Sequence, residues 1–271
     1  MKLERGQVAV VTGAASGMGR SLALQLAAKG VSLALCDVDM AALAVTVKMA
    51  RAVDSALVVT EHEVDVADEA QVLVFRDEVL AQHKGGVQLL FNNAGVACDG
   101  RLVFLPSNSA EEIAAVRKGW DRCFNIDFFG VLHCVRAFLP ALQASTEAYV
   151  VNTSSINAIW TWPEHSAYSS AKAAVQGLTE SLMIECMVKA PHVHVACVHP
   201  GGVRTDSELQ LPALPNCSRR NCVLTRALKL PQSRATASCR VRMRKDPRSP
   251  TARPSSPRPS TKLSISRPTR R

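Results

Sequence analysis

The chain has 271 residues, 47% of them hydrophobic, which suits one large α/β domain or two small ones around a sizeable core. Its formal net charge of +9 hides two opposed segments: residues 1–206 hold 16 Lys+Arg against 21 Asp+Glu, a balance of −5, while residues 207–271 hold 16 against 2, a balance of +14. No uninterrupted run of about 18 apolar residues occurs, and Met1–Arg5 leads straight into an apolar run without a signal-peptide pattern, so no membrane span is expected and a cytoplasmic location is.

In chain order, Val8–Val11 is a short apolar run, followed by a glycine-rich turn and a helical stretch from Gly17 to Lys29. Further strand-like runs are Val31–Cys36, Leu57–Val64, Val87–Phe91, Ala148–Val151 and Val193–Val198. Helical periodicity fills the gaps, as in Glu69–His83, Trp120–Leu142 and Ala167–Met187. Short apolar runs separated by helices predict strands buried on both faces of a parallel sheet. The expected fold is therefore α/β, a doubly wound, mostly parallel sheet with helices on both sides.

The composition changes at about Ser207. All 14 glycines and every aromatic residue precede that point, yet 9 of the 14 prolines follow it. The predicted organisation is a dinucleotide-binding catalytic domain over 1–206 and a basic Pro/Arg/Ser-rich tail over 207–271, largely disordered because it offers too little apolar surface to offset the entropy of ordering. Leu209–Leu230 could at most add a short helix. The nine cysteines stand at 36, 98, 123, 134, 186, 197, 217, 222 and 239, with no C-x-x-C pair, and read as reduced, buried thiols. No metal-ligand pattern is seen in the histidines, and no metal is expected.

The first chemical motif is Thr12-Gly13-Ala14-Ala15-Ser16-Gly17-Met18-Gly19. Glycines let the backbone turn sharply and let a dinucleotide approach without meeting a Cβ, and the helix that follows aims its amides at the pyrophosphate. Asp37 stands at the end of the second strand, 18 residues beyond Gly19, where a carboxylate can accept from the adenosine ribose and would repel a 2′-phosphate. Ser16 brings no positive charge, although Arg20 is close. NAD is favoured over NADP.

The second motif is Tyr168-Ser169-Ser170-Ala171-Lys172, which puts Tyr168 and Lys172 on one helix face. Ser155 precedes Tyr168 by 13 residues, at the end of the fifth strand. Carbonyl reduction needs a proton donor for oxygen as hydride reaches carbon. A free phenol holds its proton to about pH 10, and an adjacent ammonium together with a positive nicotinamide favours the phenolate.

Together these residues resemble the short-chain dehydrogenase/reductase family, of the NAD(P)-binding Rossmann type, over residues 7–205. Thr12, Gly13, Ser16, Gly17, Met18 and Gly19 match its cofactor turn, and Asp37 its ribose carboxylate. Asp65-Val66 sits where the family contacts adenine, and Asn92-Asn93-Ala94-Gly95 matches its signature after the fourth strand. Pro200-Gly201-Gly202-Val203-Arg204-Thr205 resembles the segment beside the nicotinamide, with Pro200, Gly201, Val203 and Thr205 as contacts. The resemblance implies a tetrad of Asn125, Ser155, Tyr168 and Lys172. Tyr168 would be the general acid/base, Lys172 would hold the ribose and tune Tyr168, Ser155 would orient the substrate oxygen, and Asn125 would position a water toward Lys172. Ser154 is the alternative to Ser155. Trp160 and Trp162 fall where the family lines its substrate pocket, with packing as the other reading, and His199 reads as structural.

After Thr205 the family supplies a covering loop, a helix and a seventh strand. Residues 207–271 have no glycine, no aromatic and no convincing β run, so six strands are expected, with a replaced C-terminus arising from alternative splicing, a reading-frame change or a mispredicted gene model. The leading reading is an enzyme moving hydride between a nicotinamide cofactor and an alcohol or ketone. It would have a small-molecule substrate, and a homo-oligomer would form through the central helices. A variant that binds a dinucleotide or a partner without turnover is the second reading. Polyanion binding by the tail is the third, weakened by the lack of aromatics between its charges.

Overall fold

The computed structural model describes residues 3–97 and 109–203. Six strands form one sheet: β1 (Val8–Thr12), β2 (Ser32–Asp37), β3 (Val59–Glu63), β4 (Leu89–Asn92), β5 (Ala148–Thr153) and β6 (Val193–Val198). Their order is β3-β2-β1-β4-β5-β6, and each neighbouring pair is parallel. The helices are α1 (Gly17–Ala27), α2 (Met40–Val53), α3 (Glu69–Gln82), α4 (Ala110–Phe124), α5 (Gly130–Gln143) and α6 (Ser166–Lys189). The expected doubly wound α/β arrangement is thus present. The tail, Thr205 and the domain boundary near 206 lie outside the described residues.

Alternation along the strands builds two cores. Val10, Ala34, Leu90 and Val150 face one side and pack with Phe75 of α3, Phe138 of α5 and Val175 of α6. Ala9, Val11, Leu33, Leu35 and Phe91 face the other side and pack with Leu26 of α1 and Leu43 of α2. Strands covered on both sides must be apolar on both, which is why β1 is buried at all five positions. Phe75 and Phe138 meet edge to face at 5.5 Å.

Chain reversal between β1 and its two neighbours positions the site. β1 is followed by a strand added on one side (β2) and, later, one on the other (β4), so the connections leave the carboxyl ends in opposite directions and open a crevice there. The register pairs Thr12 with Cys36, Asn92 with Asn152 and Thr153 with Val198, bringing these strand ends to a common edge.

The stretch predicted as one helix over Trp120–Leu142 starts earlier and is interrupted. Ser109 caps α4 by accepting from the Glu112 amide at 3.2 Å. Between α4 and α5 lies a π-helical turn, Asn125–Phe129. Read as a whole, residues 110–143 are long and apolar enough to cross a bilayer by length and composition. Here, however, Val131, Val135, Phe138 and Leu142 are buried in the sheet's core.

Candidate active site

The crevice is a cleft of about 400 Å³ lined by Gly13, Ser16, Gly17, Met18, Asp37, Asp65, Val66, Asn93, Ala94 and Gly95, with Val38, Val64, Val96, Arg122 and Ile126 completing the wall. Every residue that the sequence assigned to the glycine turn, to position 37, to 65–66 and to 93–95 lines it, except Thr12 and Gly19, which hold its floor. Thr12 Oγ1 accepts from the amides of Asn93 and Ala94, both at 3.0 Å. The Asn93 side chain donates to the carbonyls of Thr12 and Gly13 at 3.1 and 3.2 Å. Asn93 therefore works as a strut between two strand ends.

The glycines are required by close approach. Gly13 has φ +65°, and a Cβ there would lie 2.7 Å from the Ala94 Cα. A Cβ on Gly19 would collide with the Gly13 carbonyl and stand 2.7 Å from the Asn93 side-chain nitrogen. The turn is consequently pulled against β4, and α1 begins with its free amides at the cleft. Ser16, the residue before α1, makes no side-chain cap there. This is a glycine-rich turn at an uncapped helix N-terminus, which fits a dinucleotide pyrophosphate.

Asp37 is held toward the turn. Its Oδ2 accepts from the Ala15 amide at 2.9 Å and its Oδ1 from the amides of Val38 and Asp39 at 2.8 and 3.2 Å. The neighbouring Asp39, not Asp37, caps α2, accepting from the Ala42 amide. Arg20 is committed elsewhere, donating to Thr46 Oγ1 at 2.9 Å and to the carbonyls of Ala15 and Ala42.

The end of β5 is stitched to α6. Ser154 Oγ donates to the Lys172 carbonyl at 2.7 Å, and Lys172 Nζ donates to the Thr153 carbonyl at 3.1 Å. Ser154 is thereby spent on structure. Ser155 is only 7% exposed, and its Oγ accepts from the Asn157 amide at 3.2 Å, which leaves its own proton to give. His199 Nδ1 meets the Ser155 carbonyl at 3.1 Å, in keeping with a structural role. On α6, Lys172 Nζ sits 5.6 Å from the centroid of the half-buried Tyr168 ring, as the four-residue spacing requires. His165 lies edge-on to that ring at 6.4 Å and is steadied by Asn157 at 3.1 Å.

One assigned residue is not where the resemblance puts it. Asn125 is exposed, and its side chain makes no hydrogen bond among the described residues. Asp127, two residues further on in the π turn, is fully buried and forms an ion pair with Lys172 at 3.0 Å. The physical reason is the helix face: Cys123, Asp127, Val131 and Cys134 recur at three- or four-residue steps and point inward, whereas Asn125 falls on the opposite side. That spacing was available in the sequence.

Burial raises the Asp127 carboxyl above its ordinary range, against the pull of Lys172, Cys123 and the Val96 amide. For Lys172, burial works against the ammonium, but the Asp127 carboxylate and the Tyr168 phenol outweigh it, so its pKa lies above the usual lysine value.

Pro200 contributes its carbonyl to the Ile156 amide at 3.0 Å, tying the turn after β6 to the turn after β5. Gly201 and Val203 are exposed beside it. Trp160 is 71% exposed and Trp162 38%, so neither is a core packing residue.

A six-stranded parallel sheet with a glycine-rich turn at its switch point, an acidic residue closing β2 and a Tyr-Lys pair beside β5 defines a dinucleotide-binding oxidoreductase body of the Rossmann type. The chain belongs to the short chain dehydrogenase family, whose model matches residues 7–213. It is 42% identical over 200 residues to a Mycobacterium tuberculosis protein described as the oxidoreductase SadH, covering 74% of this chain and 68% of that one. It is 30% identical over 199 residues to cyclohexanol dehydrogenase of Acinetobacter sp., covering 73% and 74%. A Burkholderia phymatum short chain dehydrogenase/reductase solved in complex with NAD superposes with a TM-score of 0.67 at 35% identity, covering 81% of this chain and 76% of that one.

Proposed function

We propose that this chain is an NAD-dependent dehydrogenase or ketone reductase acting on a small secondary alcohol or its ketone. The single observation that carries the reading is the Tyr168–Lys172 pair on α6, whose lysine is bonded to the Thr153 carbonyl at the end of β5 and stands against Gly95 of the cleft wall. When bound, the nicotinamide gives or takes the hydride. Tyr168 gives its phenolic proton to the substrate oxygen in reduction and takes it back in oxidation. Ser155, whose oxygen already accepts from the Asn157 amide, donates to that same substrate oxygen and fixes its direction. Lys172 keeps a positive charge beside the phenol, which favours its ionised form.

The choice of NAD rests on Asp37 and Arg20. A carboxylate on the cleft wall disfavours a 2′-phosphate, and the nearby guanidinium is occupied with Thr46 and two carbonyls. Exposed Ile159, Trp160 and Trp162 between Ser155 and Tyr168 favour an apolar substrate body over a charged one.

The test is titration of the purified full chain with NAD and NADP, joined to a screen of alicyclic and aromatic alcohols and ketones followed by nicotinamide absorbance. NAD binding tighter than NADP, with turnover of at least one alcohol, is expected. Binding without turnover across the screen contradicts the enzymatic reading.

A further inference from the structure

The ion pair between Asp127 and Lys172 does more than fill space. Asp127 Oδ1 takes both the Lys172 ammonium at 3.0 Å and the Val96 amide at 3.1 Å, and Oδ2 accepts from Cys123 Sγ at 3.4 Å. Lys172 is 3% exposed and Asp127 0%, so each is the other's main defence against desolvation. Gly95 closes over them: a Cβ there would stand 2.5 Å from Asp127 Oδ1 and 3.0 Å from Lys172 Nζ. The pair is thus clamped by the end of β4, by α4 and by α6. The groups facing Lys172 are Asp127 from the π turn, Cys123 from α4, Tyr168 from its own helix and the Thr153 carbonyl from β5. Arg122 of α4 stands on the cleft wall with Gly95 and Val96.

We propose that Asp127 is the positioning residue of the proton-transfer pair: its carboxylate keeps Lys172 charged and fixed in place beside Tyr168. This rests on the reading of Tyr168 and Lys172 given above and adds to it the residue that sets their pH range. A fully buried ammonium without a counter-charge sheds its proton. A neutral lysine would leave the phenol without its cationic neighbour. Asp127 acts through Lys172 and touches no substrate.

Asp127→Asn isolates the charge. An amide oxygen can still accept from Val96 and Lys172, and the amide nitrogen lies toward Cys123, so shape and contacts are preserved. The chain has two tyrosines, Tyr149 and Tyr168. Tyr149→Phe therefore leaves Tyr168 alone, at the loss of a hydrogen bond to Glu147. In that background, the tyrosinate absorbance of the full-length protein without added ligand is titrated with and without Asp127→Asn.

The expected result is a rise of about one pH unit or more in the Tyr168 midpoint, with the limb of any alcohol oxidation that depends on the phenolate moving to higher pH by the same amount. An unchanged or lowered midpoint overturns the proposal. Asp127→Ser, smaller and also neutral, is expected to move the midpoint the same way and keeps the test decisive if the amide variant folds poorly. The titration needs no substrate. Failure to find turnover would thus sink the hydride reading while leaving the Asp127 result to stand or fall by itself.

Discussion

A carboxylate sealed in a protein interior survives only where its partners are close and few alternatives exist. At Asp127 those partners are an ammonium, an amide and a thiol, and the space for them is set by the missing side chain of Gly95. Gly95→Ala places a methyl inside the pair's contact distance. It is expected to destabilise the fold by about 1–3 kcal/mol, as overpacking does, and to cost more activity than that loss explains. Chemical denaturation alongside turnover at fixed folded fraction checks this, and wild-type turnover per folded molecule would refute it. Asp37 gives a second prediction. Asp37→Ser removes a charged acceptor from the cleft wall and is expected to weaken NAD binding by about tenfold to a hundredfold relative to NADP, the value of one or two charge-assisted bonds. Calorimetric titration of both dinucleotides reads it. Most of these residues were legible in the sequence because their types are demanded by chemistry at fixed spacing. Asp127 was masked, although its helix-face spacing stands in the sequence, because a motif centred on asparagine points to Asn125 instead.

At the level of the elements, strands were the easiest to see. β6 occupies its predicted run, and each of the others differs from its own run by one or two residues at one or both ends. Apolar runs bracketed by turns leave few alternatives. The start of α4 was hidden because Glu111, Glu112, Arg117 and Lys118 make its first turns polar, and its local signal is confined to the serine cap at 109 with the acidic residues that follow it. The π turn was hidden altogether, since an i→i+5 turn has no compositional mark. The element most tightly linked to binding is the β1–α1 turn. Gly19→Ala forces a Cβ into the Gly13 carbonyl and the Asn93 strut, so the turn must move away from β4. Dinucleotide affinity is expected to fall at least tenfold while the far-ultraviolet circular dichroism stays native. Unchanged affinity would show that the cradle does not hold the cofactor.

Across the whole molecule, stability should depend on pH in a definite direction. Burial raises the Cys36 thiol well above its ordinary value, with Cys134 and Asp37 adding to it, and burial raises Cys134 to about 12. The unfolded chain ionises these thiols from about pH 8.5, whereas the folded chain does not. Their contribution is therefore whole below that pH and is lost as pH rises toward the folded values, at about 1.4 kcal/mol per thiol for each pH unit. The midpoint of urea unfolding is expected to fall between pH 8.5 and 10, and Cys134→Ala should reduce the slope by about one proton. A slope unchanged by that substitution would contradict the assignment. The parallel sheet could be anticipated from βαβ repetition, because parallel strands need crossover helices, whereas the strand order comes from the structure.

Proton transfer by the phenol of Tyr168 at the dinucleotide cleft stands or falls with Tyr168→Phe. The measurement is NAD binding and alcohol oxidation on the same full-length preparation. Turnover is expected to fall by about a hundredfold to ten-thousandfold, the usual worth of a general acid or base, with NAD affinity kept within about threefold. A phenylalanine variant that oxidises the alcohol at the parent rate would contradict the account.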